Sequence, residues 1–167
     1  MDAGSTILTY SSRTEAVSRL QEHGIASSCH ILIADATGSV GVECSARDIL
    51  FLPMDTSGRV FHSNHFLLSH PGVVDTVYLP DSIGRIKRIR DLVDGLCTSG
   101  DGDRVTEDAL FNLFKDEQEY PTSINRDQVG VSDCASLFNI LMDLTGPVAR
   151  VTLGRPTVPE EQFYLSF

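Results

Sequence analysis

From residue 29 to residue 44 the chain reads CHILIADATGSVGVEC. The apolar run over residues 29–34, with its β-branched isoleucines, is typical of a buried strand. Asp-Ala-Thr-Gly then has the composition of a turn, and the alternation over residues 39–44 predicts a second strand. The sequence therefore predicts an antiparallel hairpin, around which the other elements can be placed.

A helix and two further strands are predicted beside this hairpin. Residues 12–15 have the pattern of a capping box, the apolar residues that follow lie on one helical face, and Gly24 supplies a stop. After the hairpin, residues 49–52 extend the sheet or turn away at Pro53, and residues 59–64 are predicted as another strand.

The second half of the chain combines helices with strands. A helix is predicted from Asp81, with apolar residues at helical spacing from Ile83 to Leu96, and a polar loop over residues 98–103 follows it. Thr106 then caps a helix whose inward residues are predicted to be Leu110, Leu113 and Phe114. Strands are predicted over residues 135–143, 148–153 and 162–165. Because strict β-α-β alternation is absent, we expect one α+β domain over residues 1–167, with mostly antiparallel sheet and packed helices.

The composition excludes several classes of protein. Of the 167 residues 41% are apolar and 22% charged, as in globular proteins. A net charge of −10 argues against a nucleic-acid surface, because phosphate binding needs clustered basic residues. No apolar run approaches the roughly 20 residues of a membrane span, so no membrane contact is predicted. The four cysteines form no Cys-x-x-Cys pair and lie in or beside apolar runs, which predicts reduced thiols and an intracellular location, cytoplasmic or peroxisomal.

A polar run, His-Ser-Asn-His at residues 62–65, follows an apolar stretch and predicts a binding site, because buried polar groups cost free energy unless they are paired. The Asn64 amide can donate to a developing oxyanion or bind neighbouring backbone at a strand end, and the pattern leaves both open. His62 and His65 have the spacing of a metal pair. On a strand, however, residues three apart point to opposite faces, so no metal and no cofactor is predicted.

Three further polar residues are candidates for the site. Glu43 and Ser45 share one face of their predicted strand, where the glutamate is either a paired carboxylate or support for a site. Ser132 precedes a strand, without the strand-to-helix turn that a serine hydrolase needs. Cys29 and Cys134 are internal thiols that would need an adjacent base or helix N-terminus to react.

These stretches, in the same order, resemble the acyl-coenzyme A:6-aminopenicillanic acid acyltransferase family, a group of N-terminal-nucleophile hydrolases also classed as cysteine peptidases. The resemblance runs from about Arg13 through Phe167 and matches the C-terminal part of a longer precursor. Its most specific parts are residues 41–45, 61–68, 80–82, 117–123, 136–140 and 153–157. It implies the C-terminal part of the four-layer αββα fold.

The same resemblance implies roles for the candidate residues. Asn64 lies in the family's His-Thr-Asn-His stretch, here with Ser63 in place of threonine, and would help to form the oxyanion hole. The family has Glu and Ser at the positions of Glu43 and Ser45, so we expect them to support the site, together with His62, His65 and Ser132. Asp133 stands where the penicillin-forming relative has a basic residue, which predicts a different substrate contact.

The family works through a cysteine at the N-terminus of a chain that cleaves itself at a Gly-Cys pair, and this sequence contains no such pair. The resemblance implies acyl transfer or amide hydrolysis on an acyl-coenzyme A or acyl amide. We expect this chain to lack the segment with the nucleophile, to be inactive alone, and to need that segment or self-association. The alternatives are a truncated or diverged relative that acts as a non-catalytic binding module, and a stand-alone thiol hydrolase that uses Cys29 or Cys134.

Overall fold

The computed structural model describes residues 10–99 and 105–167. This part of the chain contains two three-stranded antiparallel sheets, and one or two helices precede each sheet in the sequence. The chain divides into two units, Met1–Leu79 and Pro80–Phe167. The α+β prediction is confirmed, and these elements are compatible with part of an N-terminal-nucleophile hydrolase fold. One domain over the whole chain stays a prediction. No helix within the described ranges is long and apolar enough to cross a membrane.

The first unit contains one helix and one sheet with strand order β1-β2-β3. Its elements are α1 (Arg13–His23), β1 (Cys29–Asp35), β2 (Gly38–Cys44) and β3 (Ile49–Pro53). The hairpin and the helix predicted from sequence are thus confirmed. The Ser12 hydroxyl accepts a hydrogen bond from the Glu15 N–H, and Gly24, with φ of 70°, donates its N–H to the Leu20 carbonyl.

The two faces of this sheet have different partners. On one face Ile33, Val42 and Cys44 pack with Ala16 and Leu20 of α1 and form the apolar core of the unit. The alternation of a strand sends His30, Gly41 and Glu43 to the opposite face. Here the segment of residues 60–70 lies on the sheet, since Val60 approaches Gly41 and both His62 and His70 bind Glu43.

The strand predicted over residues 59–64 is wrong, because the structure shows no strand there. The Asp55 carboxylate accepts from the N–H groups of Ser57 and Arg59 and ends the preceding turn. Beyond it, the N–H groups of Phe66, Leu67 and Leu68 bind carboxylates. Carboxylate side chains therefore accept the hydrogen bonds of this segment, whereas the backbone carbonyls of a neighbouring strand would accept them in a sheet.

The second unit contains two helices and a sheet with strand order β4-β5-β6. Its elements are α2 (Asp81–Ser99), α3 (Glu107–Leu113), β4 (Phe138–Asp143), β5 (Val148–Arg155) and β6 (Val158–Ser166). Thr106 caps α3 as predicted, by accepting from the Ala109 N–H. The buried residue of α3 is Phe111, however, and Leu110 is exposed, as is Ile83 of α2. Of the predicted loop, residues 98 and 99 belong to α2, and residues 100–103 lie outside the described residues.

We expect Gly41→Ala to destabilise the chain by about 1–3 kcal/mol, as overpacking does. The added Cβ would lie 2.6 Å from His30 Nε2 and 3.2 Å from both Leu52 Cβ and Val60 Cγ1. Gly95→Ala in α2 is the matched control. Its Cβ meets nothing within 4 Å, so the better helix propensity of alanine should stabilise the chain by about 0.5–1 kcal/mol. Urea unfolding measures both variants, and an equal effect of the two would contradict the close packing at Gly41.

Candidate functional site

The centre of the candidate site is the carboxylate of Glu43, which has no exposed surface. One oxygen accepts from His62 Nε2 at 2.7 Å and from the Leu67 N–H at 2.6 Å. The other accepts from the Leu68 N–H at 2.9 Å and contacts His70 Nε2 at 3.3 Å. Burial disfavours the charge, but these hydrogen bonds outweigh it and lower the pKa of Glu43. The side chain is therefore an ionised acceptor that joins β2 to residues 62–70.

A second carboxylate extends this network through His70. The ring of His70 is buried and places Nδ1 2.5 Å from Asp48 Oδ1, so that each ring nitrogen faces a carboxylate. Burial lowers the pKa of His70, but the hydrogen bonds to Asp48 and Glu43 raise it further and the net shift is upward. Ser45 donates its hydroxyl to Asp48 and accepts from the N–H groups of Arg47 and Asp48. The buried Ser45 thus closes the network at the end of β2.

Two imidazoles stack where the network meets the cleft. The rings of His30 and His62 lie 3.7 Å apart with an interplanar angle of 4°. Burial, and then the neighbouring His62, lower the pKa of His30 to about 4, so that its ring is neutral at pH 7. His62 Nδ1 lies 2.6 Å from the Ser63 carbonyl oxygen, so the ring is held at both nitrogens.

An open cleft of about 500 Å³ lies beside the stacked rings and is lined by residues 28–30, residues 62–66 and Asp75. Asn64 is exposed at this cleft, and His65 lines it as well. Asp75 accepts from the N–H groups of Phe66 at 2.6 Å and Val77 at 2.8 Å, and these bonds lower the pKa of Asp75. Glu43 and Asp75 therefore hold the backbone of residues 66–68, which begins two residues after Asn64.

The structure brings most of the predicted site residues into one region of the first unit. His62, Asn64 and His65 line the cleft, and Glu43 binds His62 directly. Ser45 reaches Glu43 only through Asp48 and His70. Their catalytic roles stay predictions.

Ser132 belongs to the second unit and is buried there. Its hydroxyl accepts from Arg126 Nη2 at 3.1 Å and donates to the Cys134 carbonyl at 2.8 Å. Arg126 also pairs with Asp81 at the start of α2. These contacts fix the residue in a buried polar network.

A model of the family described as acyl-coenzyme A:6-aminopenicillanic acid acyl-transferase matches residues 5–157 of this chain. The chain belongs to this acyltransferase family. It is 37% identical over 163 residues to the acyl-coenzyme A:6-aminopenicillanic-acid-acyltransferase 40 kDa form of Emericella nidulans. The match covers 96% of this chain and 44% of that relative, so the chain spans less than half the length of the protein it resembles.

Sequence reasoning missed four residues of this candidate site, namely His30, Asp48, His70 and Asp75. His30 lies in the apolar run over residues 29–34, which predicts a strand and gives no sign of a site. Asp48 lies three residues after Ser45, a spacing suited to a local turn that could have been noticed. His70 lies five residues beyond the polar run at residues 62–65, and nothing in the sequence indicates that it bridges Asp48 and Glu43. Asp75 follows an irregular stretch that carries no pattern, and no local signal could have found it.

We expect Glu43→Gln to lower the free energy of unfolding by about 3 kcal/mol, because an amide NH₂ replaces one acceptor oxygen and leaves buried donors unpaired. Hydrogen exchange at the amides of Leu67 and Leu68 should accelerate in the same variant. Glu22→Gln is the matched control, since its ion pair with Arg19 is exposed and contributes little to stability. Equal stability losses in the two variants would contradict the anchoring role of Glu43.

The opposite pKa shifts of His30 and His70 predict that the stability of the chain passes through a maximum as pH changes. The pKa of His30 is lowered to about 4 in the folded chain, so stability rises with pH between that value and the ordinary 6.5. The pKa of His70 is raised above 6.5, so its contribution is complete below that pH and is lost as pH rises through the folded pKa. We expect the free energy of unfolding, measured with urea at several pH values, to be greatest near pH 6.5.

Two variants separate the limbs of this profile. His70→Gln should remove the alkaline decline, and His30→Gln should reduce the acid rise, where the lowered pKa values of Glu43 and Asp48 also contribute. His23→Gln, at an exposed position near the end of α1, is the matched control. An alkaline decline that persists in His70→Gln would show that His70 is not its source.

Proposed function

We propose that this chain supplies the oxyanion-stabilising part of an acyltransferase or amidohydrolase whose nucleophile lies in a segment outside this sequence. The observation that carries this proposal is the position of Asn64, exposed at a cleft on backbone that the carboxylates of Glu43 and Asp75 hold in place. A donor whose backbone is already fixed needs little reorganisation as charge develops, which is how preorganised oxyanion donors accelerate acyl transfer. Membership of the acyltransferase family supports the same chemistry.

The reaction begins when the thiol of a terminal cysteine attacks the carbonyl carbon of the acyl donor, while the α-amine of that cysteine accepts the thiol proton. The carbonyl oxygen then carries negative charge, to which the Asn64 amide donates a hydrogen bond. Collapse of the intermediate expels a coenzyme A thiolate or an amine and leaves an acyl-enzyme. An amine acceptor or water then takes the acyl group through a second intermediate of the same kind.

The other residues of the site act on the position of Asn64. Glu43 and His62 hold the segment on either side of it, and Ser45 supports His70 through Asp48. His65 lies beside Asn64 in the wall of the cleft. The donor is an acyl-coenzyme A or an acyl amide, and the name of the Emericella nidulans relative makes 6-aminopenicillanic acid the first acceptor to test.

The test is reconstitution of activity with a second chain. The protein is co-expressed with the part of the Emericella nidulans relative that it does not cover, and acyl transfer from an acyl-coenzyme A to 6-aminopenicillanic acid is measured. We expect turnover only when both chains are present. Turnover by the isolated chain, abolished by alkylation of Cys29 or Cys134, would support the stand-alone thiol enzyme. A folded complex without turnover would support the non-catalytic binding module.

In the reconstituted pair, Asn64→Ala should lower the rate of the chemical step by about 10²–10³, as loss of one oxyanion donor does. Asn64→Asp should be at least as harmful, because it places negative charge where negative charge develops. Asn112→Ala, at an exposed position of α3, is the matched control and should leave the rate unchanged. Thermal unfolding checks that the Asn64 variants remain folded. An intact rate in Asn64→Ala would remove the oxyanion assignment.

A further inference from the structure

The first unit contains two cysteines, and they lie directly opposite each other. Cys29 begins β1, Cys44 ends β2, and the antiparallel register pairs them. Both side chains belong to the apolar layer beside α1, where Cys44 is fully buried and Cys29 half-buried. The proposed acyl chemistry uses neither thiol.

We propose that Cys29 and Cys44 are a redox-active pair, which a small-molecule disulfide such as oxidised glutathione converts into a disulfide bond. Residues that face each other across antiparallel strands have Cα atoms about 4.5–5.5 Å apart. This separation lies inside the span of about 4.4–6.8 Å that disulfides bridge. Both thiols are free in the structure, so the pair is present in its reduced form.

The burial of the two thiols sets the order of events. Burial, and then the neighbouring Cys29, raise the pKa of Cys44 to about 12, so that its thiol does not begin the exchange. Cys29 loses its proton to solvent, attacks one sulfur of oxidised glutathione and releases the first glutathione thiolate. The sulfur of Cys44 then attacks Cys29 in the mixed disulfide, and its proton goes to the departing second glutathione. Two protein thiols are oxidised, and one glutathione disulfide is reduced to two thiols.

The pair lies beside residues of the candidate site. Cys44 stands between Glu43 and Ser45, and Cys29 stands between Ser28 and His30 in the lining of the cleft. A bond between the cysteines would tie together the two strand ends that carry these residues. The oxidation itself is independent of the proposed acyl transfer, so it can be tested on the thiols alone.

The test is a disulfide map of the full chain after incubation with oxidised glutathione in native buffer. We expect one linked peptide pair, Cys29 with Cys44, and full reversal by reduced glutathione. In a Cys97→Ser, Cys134→Ser background the intact mass should fall by two hydrogen atoms. In urea, the wild-type chain should also form pairs that include Cys97 or Cys134. A native map identical to the urea map would overturn the proposal.

Single variants check the order of the two steps. Cys44→Ser should trap a mixed disulfide between Cys29 and glutathione, and Cys29→Ser should leave Cys44 unmodified while the chain is folded. If a variant fails to fold by circular dichroism, the wild-type map decides. Two free thiols or two glutathione adducts at these positions, in a wild-type chain that keeps its melting temperature, would show that the pair does not bridge.

Discussion

The first unit depends on one buried carboxylate. Glu43 has no exposed surface, and an ion in that position is tolerated only when hydrogen bonds replace its hydration. Two backbone N–H groups and two imidazoles provide them, all from residues 62–70. Because this segment forms no strand, its attachment to the sheet relies on the same bonds. The same hydrogen bonds therefore stabilise the buried Glu43 carboxylate and hold the segment on the sheet.

Carboxylates and imidazoles alternate along this network, and their order determines which groups are charged. His70 lies between Asp48 and Glu43 and has a raised pKa, whereas His30 stacks on another imidazole and has a lowered one. Burial lowers the pKa of both histidines, but the hydrogen bonds of His70 to two carboxylates reverse the net shift of that residue. The neutral ring of His30 lines the cleft, and the paired ring of His70, the last residue of the segment, contacts Glu43.

Local patterns were sufficient for the regular elements and insufficient for the site. The capping Ser12, the stop at Gly24 and the alternation of β2 act within a few residues, so the sequence predicts α1 and the hairpin well. Residues 59–64, with the apolar pair Val60 and Phe61, look like the end of a strand, but a strand also needs a ladder partner, which only the tertiary structure decides. Asp48 and Glu43 meet His70 across 22 and 27 residues, a separation that no local pattern encodes. The local signals of the site were Glu43, as a single acid in an apolar strand, and the polar run at residues 62–65.

Glu43 recognises the main chain at positions 67 and 68 and not the leucine side chains found there. Any residue except proline has the required N–H group. Glu43 of β2 therefore fixes the position of the segment without depending on which side chains the segment carries. Mutation can therefore change the residues that surround the cleft without moving the backbone that carries them. Such a division lets the side chains around a cleft diversify during evolution while the backbone keeps its geometry.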